Sequence, residues 1–303
     1  MSSQPVLIVG SVALDSIETP SGRVENALGG AATYASTATS LFAPVRLVGV
    51  VGEDFPSEHL AFLRGRGIDT SGLQIVPGGK TFRWKGDYLT DLNQAQTHDT
   101  KLGVFESFEP HLPGDYPGTP WVFLANINPE LQLRVLDSAQ KPRLIVADTM
   151  NLWINLARDT VFEVIARADV VVMNDGEARL LLEEENLIRA GRELLKRGPR
   201  VAIIKKGEHG ALMFSGDEIF SAPSFPVEEV VDPTGAGDSF AGAFIGYLAS
   251  QNDDSLAAMR RAVVYGASVA AATVSDFSLG ALAKVSREEV EARFETMERM
   301  SAF

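Results

Sequence analysis

The segment Val231-Asp232-Pro233-Thr234-Gly235-Ala236-Gly237-Asp238 carries the sharpest chemical signal in the chain. Gly235, Ala236 and Gly237 have almost no side chain, and a helix-like run follows them. Their backbone N–H groups can approach a ligand closely, and the unpaired amides of a helix start favour an anion. An acid beside such amides does not bind the anion itself. Asp238 suits a base that takes a proton from a hydroxyl attacking that anion, as phosphoryl transfer requires. It suits equally an ordinary helix N-cap, a position that Asp favours. Both roles stay open on the composition of this segment.

Three weaker segments accompany it. In Val172-Met173-Asn174-Asp175-Gly176-Glu177, Asn174 ends a buried strand and Glu177 falls on the first turn of the next helix. At the carboxyl edge of a parallel sheet, Glu177 could face Mg²⁺ through water; Asn with Glu three residues on is also a capping box. Ile204-Lys205-Lys206-Gly207-Glu208-His209-Gly210 is a strand, a glycine-bounded turn and the start of another strand. Lys206 or the turn amides could face nucleotide phosphates, and a plain hairpin loop explains them as well. Near the start, Gly10-Ser11-Val12-Ala13-Leu14-Asp15 follows the first strand, and Gly29-Gly30 opens a helix. Asp15 could accept hydrogen bonds from substrate hydroxyls, and the two glycines could let backbone approach a ring.

The elements that position these residues alternate. Apolar, β-branched runs at Val6–Gly10, Val45–Val51, Trp121–Ala125, Leu144–Ala147, Val170–Met173 and Val201–Ile204 read as strands covered on both faces. Helix-like stretches lie between them at Gly30–Leu41, Ser57–Arg66, Pro129–Ala139, Glu177–Glu185 and Asn186–Arg197. The alternation predicts a doubly wound α/β layer sandwich. The last seventy residues read as helices: Asp238–Ser250, Asp253–Thr273 capped by Asn252, and a final one from Ser286 and Glu289 toward Met300. Residues 70–118 lack a helical rhythm. There, Thr81–Trp84 and Tyr88–Thr90 read as strands around a Lys85-Gly86-Asp87 turn, a small β insertion serving as a lid or a dimer surface.

Composition removes whole classes of function. The chain has 303 residues, 27 Lys and Arg against 40 Asp and Glu, and a net charge of −13. Such a chain repels phosphate backbones and anionic lipid, so nucleic acid and membrane surfaces are disfavoured as partners. No cysteine is present, which excludes disulfides, thiol catalysis and Cys-ligated metals; the four histidines have no metal-ligand spacing. Neither a signal-peptide pattern nor a membrane-length apolar run occurs, so a soluble, cytoplasmic protein is expected. The absence of GxGxxG after the first strand and of GxxxxGK[ST] anywhere argues against a dinucleotide-binding oxidoreductase and a P-loop.

Taken in order along the chain, these motifs resemble the ribokinase-like, or PfkB, carbohydrate kinase family. The likeness runs from Gly10-Ser11 with Asp15 and Gly29-Gly30, through Asn174 with Glu177 and Lys206-Gly207 with Gly210, to Asp232-Pro233-Thr234-Gly235-Ala236-Gly237-Asp238. It implies a three-layer, mainly parallel sheet in one domain over residues 1–303, with a small β lid from about 11–25 and 70–105. It implies ATP and Mg²⁺ as cofactors and a hydroxymethyl group of a sugar or nucleoside as acceptor. By the same resemblance Asp238 is the base, Gly235, Ala236 and Gly237 form the anion hole, and Asn174 and Glu177 organise Mg²⁺ and phosphates. Lys206, Gly207, Gly210 and Thr234 border the nucleotide, and Asp15, Gly29 and Gly30 face the acceptor. Asp232 with Thr234 is a candidate for a monovalent cation such as K⁺, and residues 271–282 match the adenine pocket in position.

Two departures stand out. Tyr34 occupies the place where many sugar kinases carry Asn after the glycine pair, and Pro233 stands where many have Thr. Tyr34 and the lid's Phe82, Trp84 and Tyr88 could stack on a nucleobase or could form lid core. A non-catalytic nucleotide or sugar sensor on the same fold is the alternative function, and a homodimer through the lid is the expected assembly.

Overall fold

Because helices cover both faces of the larger of two sheets, its central strands are nearly uninterrupted apolar runs. The computed structural model describes residues 3–302; residues 1, 2 and 303 of the expected domain lie outside them. The chain starts in the large sheet with β1 (Val6–Val9), then leaves it for β2 (Ala13–Thr19) and β3 (Gly22–Gly29). It returns through α1 (Ala31–Thr39), β4 (Val45–Gly52), α2 (Ser57–Gly65) and β5 (Ile68–Val76), and departs again for β6 (Arg83–Asp87) and β7 (Gln96–Lys101). Regular alternation follows through β8 (Trp121–Leu124), α3 (Pro129–Ser138), β9 (Leu144–Asp148), α4 (Asn151–Leu156), α5 (Arg158–Arg167) and β10 (Val170–Asn174). Next come α6 (Asp175–Leu182), α7 (Leu187–Lys196), β11 (Val201–Lys205), β12 (Ala211–Ser215) and β13 (Glu218–Ala222). Three helices end the chain: α8 (Ala236–Gln251), α9 (Leu256–Thr273) and α10 (Arg287–Met300).

The nine strands of the large sheet lie in the order β13-β12-β11-β10-β9-β8-β1-β4-β5, parallel from β11 to β5. Alternate residues feed two cores. Val6 and Ile8 pack under α1, α8 and α9, while Leu7 and Val9 pack on the opposite face with Val135 of α3 and Val164 of α5. This is the expected three-layer, doubly wound architecture. Strand order grows from β1 through β4 to β5, then reverses to β8 on the other side of β1. Such a reversal opens a crevice at the carboxyl ends of the strands.

Helix α8 is buried on every side from Ser239 to Ala249. Its glycines let α1 come close: a Cβ on Gly242 would overlap the carbonyl of Ala35, and Thr39 Oγ1 donates to the Gly242 carbonyl at 2.7 Å. Helices α8 and α1 are therefore locked together by close backbone contact.

The second sheet has the order β3-β2-β6-β7, with β2 and β6 parallel. It is anchored where the chain crosses over. Asp54 Oδ1 accepts from Thr81 N at 2.7 Å and Thr81 Oγ1 at 2.8 Å, Asp54 Oδ2 pairs with Arg83 at 3.0 Å, and Thr19 Oγ1 donates to the Val231 carbonyl at 2.7 Å.

Several sequence expectations shift. Residues 68–76 join the large sheet as β5, and β3 runs on to Gly29, so the small sheet draws on 13–29 and 83–101 rather than 11–25 and 70–105. No turn forms at Lys85-Gly86-Asp87. These residues continue β6, which pairs with β7 instead of with Tyr88–Thr90, and the connection between them brings Asn93 Nδ2 to 3.3 Å from Glu208 Oε2. Asn252 caps the carboxyl end of α8 in the left-handed conformation, and Ser255 caps α9, its side chain accepting from Ala258 N. Asn at a left-handed carboxyl cap is as natural as Asn at an N-cap, and spacing alone does not separate them.

Candidate active site

Charged side chains gather where the parallel strands end. Asp148 closes β9, Asn174 closes β10 and Lys205 closes β11; the register pairs Asn174 with Lys205 and Val172 with Asp148. Asn174 and Glu177 form a complete capping box: Glu177 N donates to Asn174 Oδ1 at 2.8 Å, and Asn174 N donates to Glu177 Oε2 at 2.7 Å. The cap also fixes a buried acid among the strand ends. Burial, followed by the charge of Asp148, raises the Glu177 pKa to about 8. Burial raises that of Asp148 as well, against the opposing pull of Lys205. Lys205 Nζ lies 3.4 Å from Asp148 Oδ2, with 14% of the lysine side chain exposed.

Facing them is the first turn of α8. Gly235 is its N-cap, in the left-handed conformation at φ 75°, with no side chain capping the helix. Asp238 is thus not the cap. It is the third helical residue, half-buried, with its pKa raised to about 7 by loss of water around it and then by Asp148, while Lys205 lowers it. The first amides of a helix have no partner within it. Gly235 has a second reason to be glycine: a Cβ there would overlap the ring of Tyr34. Tyr34 is 1% exposed, beneath the turn rather than open to a base, and its hydroxyl has no hydrogen-bond partner among the described residues.

The acceptor side lies where β1 leads into the small sheet. A Cβ on Gly29 would overlap Asp15 Oδ2, and Gly30, at φ 93°, donates its N–H to that oxygen at 3.3 Å. The glycine pair makes room for the chain's own carboxylate. Asp15 is buried and raised to about 7, by burial first and then, against the Gly30 hydrogen bond, by the charges of Asp232 and Asp238. Asp232, 1% exposed, accepts from Thr234 N and from Ser278 N, each at 2.9 Å. Ser278 in turn donates to the Leu28 carbonyl at 2.5 Å, so residues 274–282 clamp the loop before the anion turn to β3.

Among the four aromatics, only Tyr88 both belongs to the lid and touches the site, accepting a hydrogen bond from Thr234 Oγ1 at 3.3 Å. Phe82 stacks on Phe105, and Trp84 lies over Gly86. Gly207 and Gly210 serve the turn, at φ 54° and 79°, with Lys206 N donating to the Gly210 carbonyl at 2.7 Å. Lys205 rather than Lys206 enters the acid cluster, since no side-chain ion pair or hydrogen bond of Lys206 occurs among the described residues. Sequence reasoning missed Lys205 and Asp148, although both were visible as lone charges ending apolar strands, Val201–Lys205 and Leu144–Asp148.

Comparison with known proteins agrees with this fold. The profile of the pfkB family carbohydrate kinases matches residues 126–284. The chain is 34% identical over 246 residues to a cytidine kinase of Thermococcus kodakarensis, covering 79% of this chain and 87% of that protein. It is 26% identical over 231 residues to a nucleoside kinase of Methanocaldococcus jannaschii, covering 76% and 74%. Its fold matches the Burkholderia thailandensis nucleoside kinase solved with ADP and inosine, at a TM-score of 0.79 and 22% identity over 96% of this chain and 95% of that one. No helix among the described residues is long and apolar enough to cross a membrane. The chain belongs to the PfkB family of carbohydrate kinases and is a phosphotransferase for a sugar or nucleoside alcohol.

Proposed function

We propose that this kinase transfers the γ-phosphoryl group of ATP to the hydroxymethyl group of a nucleoside, with Asp238 as general base. The carrying observation is the position of Asp238, a half-buried acid raised to about 7 at the third residue of a glycine-opened helix. A base with a pKa near the working pH combines enough ionised form with enough basicity. In the step itself, Asp238 removes the hydroxyl proton and the freed oxygen bonds to the γ-phosphorus. The bond from that phosphorus to the β,γ-bridging oxygen breaks, and ADP leaves with the electron pair. The amides of Gly235, Ala236 and Gly237 would receive charge gathering on the phosphoryl oxygens. A sensor would have no use for a base, and nothing in the site favours one.

Asp15, held open by Gly29 and Gly30, would accept hydrogen bonds from acceptor hydroxyls. The likeness to a cytidine kinase supports a nucleoside acceptor. Thr234, Gly207 and Gly210, with the small sheet as lid, would border the substrates.

The acid cluster suits Mg²⁺. Asp148 and Glu177 are buried together, two carboxyl groups beside one ammonium. No group of three or more His, Asp or Glu among the described residues could hold a metal alone. An ion here would take water and phosphate oxygens for the rest of its shell, as Mg²⁺ commonly does. When bound, it would offset phosphate charge, with Asp148 and Glu177 as its protein-side partners. Asp232, buried with no cationic side chain acting on it, supports a monovalent cation beside Thr234. We also infer a cytoplasmic enzyme that pairs through the open edges of its lid sheet, which light scattering would test.

The direct experiment is an ADP-release screen with Mg²⁺ and K⁺ present, across cytidine, other ribonucleosides, ribose and fructose. Turnover on nucleosides supports the assignment. Turnover on free sugars alone refutes the nucleoside part and keeps the kinase; no turnover on any acceptor refutes the whole.

A further inference from the structure

We propose that Lys205 is a catalytic residue, its ammonium leaving Asp148 to hold an oxygen of the transferring phosphoryl group. The inference rests on the preceding one, in which the terminal phosphate of ATP meets the amides of 235–237.

The geometry is specific. Lys205 ends β11, and Nζ reaches across to α8: a Cβ built on Gly237 would lie 2.8 Å from it, nearer than any other atom. The ammonium thus lies against the second helical residue of a turn whose first amides have no partner within the helix. An ammonium has three donors. Only one of them is used among the described residues, in a long 3.4 Å contact to Asp148 Oδ2. A lysine largely withdrawn from water and with spare donors, beside a turn where Ala236 N donates to the Pro233 carbonyl at 3.2 Å but no hydrogen bond of Gly237 N occurs among the described residues, marks a place for an anion.

Charge points the same way. Three carboxyl groups, Asp148, Glu177 and Asp238, act on this one ammonium. Lys205 is the single cationic side chain acting on Glu177 and Asp238 among the described residues. A polyanionic nucleotide entering such a cluster needs fixed positive charge at the reacting end. In phosphoryl transfer that charge spreads over the equatorial oxygens of the moving group. Backbone amides supply dipoles for it, and Lys205 supplies a full charge. The glycine at 237 then serves two ends, since it bares its amide and leaves room for Nζ.

The competing explanation is that Lys205 only neutralises Asp148 and holds β9 against β11. Nucleotide affinities separate the two. Isothermal titration with Mg²⁺ would compare β,γ-imido-ATP and ADP on wild type, Lys205→Met and Lys205→Arg, beside melting temperatures and kcat. We expect Lys205→Met to lose about 100-fold in kcat, as when one oxyanion donor is removed. It should also weaken the ATP analogue at least about tenfold more than ADP, because only the analogue carries the third phosphate. Lys205→Arg keeps the charge and so serves if the Met variant does not fold; we expect lower kcat with ADP affinity unchanged. Equal weakening of both nucleotides, or normal kcat in a folded Lys205→Met, overturns the role of Lys205. Wild type run alongside keeps the two failures apart, since its own failure to release ADP with any acceptor would count against the kinase chemistry itself.

Discussion

Two groups of acids meet at the α8 turn, and they are held in different ways. Asp15 and Asp232 are satisfied by backbone N–H groups of Gly30, Thr234 and Ser278, with no cationic side chain acting on either. Asp148, Glu177 and Asp238 share Lys205. Backbone donors orient a carboxylate without cancelling its charge, which suits hydrogen bonding to a neutral alcohol. A charged partner is needed where phosphates arrive. Glycine shows the same division, since Gly29 clears space for Asp15 while Gly235 and Gly237 clear space for Tyr34 and Lys205.

The strongest test of this division is Asp238, the member of the second group whose charge also acts on Asp15. Asp238→Asn should lower kcat at least about 100-fold while ATP affinity, read by titration, stays within a few-fold. A near-normal rate would remove the base and with it the distinction between the sides.

Acidity gives the next largest effect. With Asp238 at about 7, kcat/KM should fall about tenfold per pH unit below that value, since the protonated acid cannot act as base. Stability should move the other way. Between the ordinary carboxyl range near 4 and the raised values of Asp15, Asp238 and Glu177, the folded chain holds protons that the unfolded chain has released. That contribution is complete below about pH 4 and is lost as pH rises through 7 and 8. The nucleotide-free protein should therefore melt lower at pH 8.5 than at pH 5.5, and Asp238→Asn should flatten the slope. A melting temperature that rises over this interval would mean that these acids are not withdrawn from water as described.

Gly29→Ala sharpens the acceptor side. The new methyl would displace Asp15, so the acceptor KM should rise about tenfold, the loss of one charged hydrogen bond, with the KM for ATP unchanged. Equal changes in both would erase the boundary between the two groups. Tyr88→Phe gives the smallest effect. Loss of the contact from Thr234 should cost about threefold in acceptor KM, the scale of one partly exposed hydrogen bond.

Much of the frame was legible because its signals are local. Apolar strand runs, the Ser286 and Glu289 capping box and the Asn174 and Glu177 box all appear where their spacing predicts. The helices α4 and α5 went unread: α4 is six residues long, and α5 carries the β-branched Val161, Val164 and Ile165, which suit a strand as well. The path of β6 was misread for another reason, as a turn-like Lys-Gly-Asp becomes strand when β2 lies alongside to pair with it.

By itself the sequence determined the layered α/β fold, the glycine-opened helix with its acid, and the kinase family, since each depends on neighbours within a few residues or on their order. Tertiary structure alone decided which charges meet. Lys205 and Lys206 are adjacent and chemically alike, yet only one ends its strand facing Asp148, a residue 57 positions away. Gly29 looked like a seat for substrate until folding brought Asp15 against it. Spacing along a chain sets local hydrogen bonds, whereas the neighbours of a strand end follow from sheet order, which distant segments settle by burying their apolar faces together.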